Sequence, residues 1–219
     1  MIKIEYTDVY GWIPAIRGAR NPMNSWNLSD TSYGTGETTV TIGPRDLRLL
    51  RKLANAGSDH GKFLRMILVY CDITGPFYWF KELDTYRMGV EKNSCSTMHK
   101  IHAKEFELSD FSTEHLMSAD KVENGYVPMA LMDGIIVCLN DYRKLYVDSK
   151  DKDLWWQLIQ LLPSSYNQRR TYMFSYAALR NIYHARKHHK LDEWREFCKW
   201  VETLPYSELI TGGMEDEVQ

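Results

Sequence analysis

The sequence predicts an α/β chain of the α+β kind, and three observations carry that reading. Residues 1–8 (MIKIEYTD) alternate as a strand does, and 63–73 (FLRMILVYCDI) form a longer strand candidate. Several later segments repeat apolar residues at helical spacing. No G-x-G-x-x-G turn or phosphate-binding loop joins strand to helix, which argues against a Rossmann arrangement.

Taken in order, residues 21–36 are polar and glycine-containing and predict loops with short helices. The β-branched run 38–42 (TTVTI) predicts a short strand. Gly43 and Pro44 then open a helix over 45–57, with Leu47, Leu49, Leu50, Leu53 and Ala54 as its buried stripe. After strand 63–73, Pro76 suits the first position of a helix carrying Phe77, Phe80 and Leu83 and reaching residue 86 or 87. Residues 88–100 read as a polar loop. Helices are expected over 129–140, before Pro163, over 167–189 and over 191–203, the last burying Trp194, Phe197, Cys198 and Val201. No interdomain linker stands out, so residues 1–212 are expected as one domain and 213–219 as a flexible acidic tail.

Composition narrows the function. The net charge of −2 offers no basic surface for nucleic acid, though a local pocket for one nucleotide remains open. The four cysteines, Cys71, Cys95, Cys138 and Cys198, lack metal-ligand spacing and read as free thiols. No signal-like core or span-length apolar run is present, and a soluble cytoplasmic protein is the expectation.

Two groups of residues carry chemistry. Arg87, Lys92, Asn93, Ser94, Ser96, His99 and Lys100 place cations and hydroxyls close together, a set able to surround a phosphate. A solvated charged loop explains the same residues. Ser175, Asn181 and Arg186 fall beside the apolar stripe of the predicted 167–189 helix, where they overlook a cleft or simply face water. His184 and His188 are four apart, but Arg186, Lys187 and Lys190 would repel a metal ion there. Cys95 alone sits among cations in a polar loop, yet no base is paired with it for nucleophilic work.

The order of these segments resembles the flavin-dependent thymidylate synthase family over about residues 43–203. GPRDLRLLRKLANAGSDHGKFLR at 43–65 is similar to that family's opening helix and Gly-His turn, and residues 15–20 to its first helix. ELDTYRMGVEKNSCSTMHK at 82–100 stands at the signature Arg-His-Arg-x-x-Ser-x-Asn-Glu-x-Ser-x-Arg. LPSSYNQRRTYMFSYAALRNIYHARKHHKLDEW at 162–194 resembles the last long helix and its Gln-Trp-Glu end. The resemblance implies a central, mostly antiparallel sheet with flanking long helices, and a homotetramer with sites between subunits.

The resemblance also implies site residues. Arg87 matches the last Arg of Arg-His-Arg, Asn93 the signature Asn and Ser96 its second Ser, a nucleotide contact. Asn181 and Arg186 match a family Asn and the Arg that holds the pyrimidine nucleotide. Thr85 and Tyr86 replace the first Arg and the His, Ser94 replaces Glu, Met98 replaces the final Arg, and Met66 replaces a flavin-contacting His. Ser175 stands where a flavin-contacting Asn is usual. The implied binding set is Ser96, Arg186, Ser94 and Asn93 for substrate, with His60, Arg87, Tyr86, Asn181 and Ser175 for cofactor. The implied reaction takes one carbon from methylenetetrahydrofolate to C5 of dUMP, with FAD giving the hydride and NADPH reducing the flavin. It needs no protein nucleophile. Hydroxymethylation of dUMP or dCMP without net hydride transfer, and non-catalytic nucleotide binding, are the alternatives.

Overall fold

Strand β1, Lys3–Tyr10, opens the chain in a computed structural model that describes residues 1–33 and 40–212. Gly11 turns it into α1, Trp12–Arg20, at a φ of 95°. A side chain there would run into the carbonyl of Met66, so both conformation and space require glycine. In α1, Trp12, Ala15, Ile16 and Arg20 point inward, spaced as one helical face. Short 3-10 turns at Asn21–Met23 and Trp26–Leu28 follow, as the polar composition predicted. Strands β2, Ser32–Tyr33, and β3, Val40–Thr41, pair antiparallel, and α2, Pro44–Asn55, begins at Pro44. Its innermost stripe is Asp46, Leu50 and Ala54, with Leu47, Leu49 and Leu53 only half-buried.

The predicted strand 63–73 starts later than its composition implied. Gly61–Arg65 is a 3-10 turn burying the adjacent Phe63 and Leu64, and β4 spans Leu68–Pro76. True alternation begins only at Ile67, from which Val69, Cys71 and Ile73 follow as fully buried residues. Helix α3, Phe77–Leu83, ends three or four residues before its predicted limit, with Pro76 at the cap position instead of inside the helix. The expected loop 88–100 contains β5, Val90–Ser94, and a single turn α4, Thr97–Lys100.

The long helices α5, Pro128–Ser149, and α6, Lys152–Leu161, come next. The predicted 167–189 helix is in fact two elements. Strand β6, Asn167–Ser175, buries Gln168, Tyr172 and Phe174 on one side, and α7, Tyr176–Arg186, takes over at the Ser175 cap. Helix α8, Asp192–Glu202, matches its predicted limits closely, and one turn, α9, covers Glu208–Thr211. The main sheet has the order β1-β4-β6-β5, flanked by helices as the fold class requires. No described helix is long and apolar enough to cross a membrane.

The chain divides into two compact units. One comprises Met1–Lys3, Ile73–Thr85 and Asn93–Arg170, the other Ile4–Asp72, Tyr86–Lys92 and Thr171–Gln219. The first unit's core joins Ile101, Phe106 and Phe111 to Met132 and Leu139 of α5 and Leu158 of α6. In the second, Trp12, Leu50, Tyr172, Phe174, Leu179, Trp194 and Phe197 are all buried. The acidic tail 213–219 and Gly34 and Gly36 of the predicted loop lie outside the described residues.

Gly89, at φ +71°, precedes β5, and its carbonyl accepts the Ser175 N–H at 2.8 Å. A methyl group there would land on the Ser175 hydroxyl while forcing a left-handed backbone on alanine. Gly89→Ala is expected to destabilise the protein by about 1–3 kcal/mol, read as a lower urea midpoint. An unchanged midpoint would show that this approach is not required.

Candidate functional site

Arg186 closes the last turn of α7 in the second unit, and the structure surrounds it with aromatic rings. Its Nε donates to the Tyr86 hydroxyl at 2.8 Å. Its guanidinium carbon lies 4.8 Å from the centre of the Trp194 ring and 5.6 Å from that of Tyr86. Trp194 and Tyr86 meet edge to face at 6.1 Å, and His189 packs on Trp194 at 6.3 Å. Ring faces favour a cation and orient the planar guanidinium. An arginine with a fixed plane is suited to a phosphate or carboxylate. Tyr86 and Arg186 are a hundred residues apart in sequence, and sequence reasoning did not pair them.

One turn earlier on α7, Asn181 helps line a cleft of about 350 Å³ in the same unit. Across it stand Gly57, Ser58, Gly61 and Arg65, brought round by the turn in which both His60 and Gly61 donate to the carbonyl of Gly57. Among the described residues the cleft holds two arginines and a histidine, Arg65, Arg180 and His184, and no carboxylate. Arg180 is anchored by donating to the Leu209 carbonyl at 2.8 Å. Burial lowers the pKa of His184, and the positive charges of Arg180 and Lys187 add to that effect. The excess positive charge favours an anion. His60 itself is exposed beside this turn.

Ser175 is buried, and its hydroxyl accepts the Ala178 N–H at 3.1 Å as the N-cap of α7. That side chain is committed to holding the helix start. Arg87 is exposed in the segment between α3 and β5. Helix α7 ends at Arg186, so His184 and His188 do not share a helical face.

The remaining predicted residues belong to the first unit. Asn93 and Ser94 are exposed on β5, an edge strand, and Ser96 caps α4. The Ser96 hydroxyl accepts the His99 N–H at 3.2 Å and lies 2.7 Å from His99 Nδ1. Gln168 fixes the end of β5 by donating from Nε2 to the Cys95 carbonyl at 2.7 Å and to the Thr97 hydroxyl at 3.1 Å. Arg170 continues this network, donating from Nε to Gln168 and from one terminal nitrogen to both oxygens of Asp84, with Phe80 beneath its guanidinium at 3.9 Å. Gln168 and Arg170 were missed because they were read as positions on a helix; their alternation with Tyr172 and Phe174 was the available signal. Cys95 is exposed, while burial pushes the thiols of Cys71 to about 12 and Cys198 to about 11, consistent with core roles.

The fold is that of the flavin-dependent thymidylate synthases. Over 97% of this chain and 100% of the other, it matches flavin-dependent thymidylate synthase ThyX from Helicobacter pylori, solved with FAD and dUMP, at a TM-score of 0.69 and 18% identity. A second ThyX structure from that organism, also with FAD and dUMP, gives 0.68 and 19% identity over 97% of this chain and 98% of that one. The UMP/dUMP methylase PolB from Streptomyces cacaoi, bound with 5-Br dUMP, gives 0.65 and 16% identity over 97% and 95%. No family model and no curated protein matches the sequence.

Proposed function

We propose that this protein transfers a one-carbon unit from methylenetetrahydrofolate to C5 of a pyrimidine deoxynucleotide, in the first instance methylating dUMP to dTMP with FAD and NADPH. The observation that carries the reading is the near-complete match to three structures holding dUMP or its 5-bromo analogue. The ring-oriented Arg186 supports it, because it offers the planar donor that a nucleotide phosphate needs. Ser96, Ser94 and Asn93 are the further substrate-side groups that the resemblance implies, and a homotetramer would bring such groups together from different copies of the chain. Arg87, Tyr86 and His60 belong to the cofactor side.

The donors of the Asn181 cleft fit a phosphate-bearing cofactor, and about 350 Å³ accommodates part of a dinucleotide. Asn181 and Arg65 would hold that part of FAD, with Arg180 setting the local charge. Bound flavin would supply the hydride. The chain's own work is to orient the nucleotide through Arg186, neutralise its charge and exclude water. No protein nucleophile enters this scheme.

A second reading, hydroxymethylation of dUMP or dCMP without net hydride transfer, is favoured by one specific observation. Ser175 stands at a flavin-contacting position of the resembled family, and here its hydroxyl is buried and spent on the α7 cap. Anaerobic incubation with FAD, NADPH, methylenetetrahydrofolate and either dUMP or dCMP separates the readings by product mass. A methyl-sized gain on dUMP requiring FAD and NADPH is the expected result. A hydroxymethyl-sized gain indifferent to flavin would install the second reading, and no product with either nucleotide would reduce the protein to a binding role.

A further inference from the structure

The second unit contains another and larger cleft, about 810 Å³, sharing no lining residue with the Asn181 cleft. Its chemistry is the reverse. Tyr10, Trp12, Trp200 and Tyr206 supply aromatic walls, and among the described residues Asp8 is the only charged side chain lining it. Among the described residues no lysine, arginine or histidine lines it, and Asp8 makes no side-chain hydrogen bond or ion pair.

The rings are held by specific contacts. The Trp200 indole N–H donates to the Thr7 hydroxyl at 3.1 Å, which fixes that ring against β1. The Tyr206 hydroxyl accepts the Ile42 N–H at 3.0 Å, and its ring meets Trp12 edge to face at 5.1 Å. Tyr206 also sits at φ 53°, a backbone state that side chains rarely adopt, and one often kept where a residue must be aimed. With the polar edges of Trp200 and Tyr206 engaged, these two rings can offer a ligand their electron-rich faces.

We propose that this cleft binds a planar organic cation, with aromatic faces stacking on the ligand and Asp8 neutralising its charge. Neither an anionic nucleotide nor its phosphate suits it, because an approaching anion would meet the Asp8 carboxylate with no compensating cation among the described lining residues. The site is therefore distinct from both Arg186 and the Asn181 cleft, and it does not depend on the reaction proposed above.

Calorimetric titration of the full chain with 1-methylquinolinium, and with neutral quinoline of nearly the same shape, tests this. The cation is expected to bind roughly tenfold more tightly than the neutral ring. Asp8→Asn should cut that preference to what the ring faces alone supply while leaving quinoline affinity unchanged, and Asp8 is exposed, so folding is not at stake. Trp200→Leu should weaken both ligands. Equal affinity for the two, or an Asp8→Asn variant whose preference for the cation is as large as the parent's, overturns the proposal. So does a sedimentation result in which a second copy of the chain occupies the cleft and the cation does not displace it.

Discussion

Replacing Asp46 by alanine is expected to lower the stability of the protein by about 3–5 kcal/mol, because it leaves a buried arginine without its counter-charge. Asp46 is fully buried and Arg20 nearly so, and Arg20 Nε donates to Asp46 Oδ1 at 2.6 Å. The other carboxylate oxygen accepts from the hydroxyls of Ser29 and Thr31, both at 2.7 Å, and from the backbone N–H of Asp30 and Thr31, both at 3.1 Å. Arg20 further donates to the carbonyls of Ser25 and Leu28, each at 3.2 Å. The pair thus ties the irregular segment 20–31 to both α1 and α2. Burial alone would raise the Asp46 pKa, but hydrogen bonds from Thr31, Ser29 and Arg20, with the Arg20 charge, together outweigh it and hold it below the ordinary aspartate range. The carboxylate therefore contributes stability that is fully present above its unfolded pKa and is lost as pH falls through the lower folded value. Urea unfolding at neutral pH and in acid checks both statements. A variant within about 0.5 kcal/mol of the parent would show that the pair is not a fastening point.

How far this was visible beforehand differs by residue. Asp46 was legible only as a polar residue near the start of a helix, since its partners come from loop residues that no periodicity announces. The α2, α6 and α8 elements were legible because their apolar spacing and their stops agree. The β6–α7 junction was not. Tyr176, Leu179 and Ile182 repeat helically, and the eye extends that period backward over Arg170, Tyr172 and Phe174, which in fact alternate. The change of period falls at Ser175, whose capping role depends on a hydrogen bond and not on composition. The same misreading hid Gln168 and Arg170, whose side chains brace the start of the segment that carries Ser96. The resemblance located Arg186 correctly on a helix but could not supply Tyr86 as its partner. Trp194 was legible only as one more apolar residue of α8, because a ring beneath a guanidinium is a product of packing.

Arg186→Lys is expected to weaken dUMP binding by roughly 10–100-fold, the equivalent of losing one or two charge-assisted hydrogen bonds. Lysine keeps the charge but has neither the Nε donor to Tyr86 nor a plane to pack against Trp194 and Tyr86. Tyr86→Phe separates those contributions, since it leaves the ring in place and deletes only the hydroxyl that accepts from Nε. A loss of about 3–10-fold is expected there, on the order of one modest hydrogen bond. A merely structural role for Tyr86 would shift the urea midpoint and leave nucleotide affinity alone; a positioning role does the opposite. Calorimetry with dUMP and with deoxyuridine adds the decisive comparison. If Arg186 reads phosphate, both variants lose affinity for dUMP and change little toward the nucleoside, whose binding should already be weak. If it reads the base, the two ligands weaken in parallel, and the phosphate must be held by other residues. Affinity for dUMP unchanged in Arg186→Lys would remove Arg186 from the substrate site altogether, and with it the strongest local support for a pyrimidine nucleotide as the substrate.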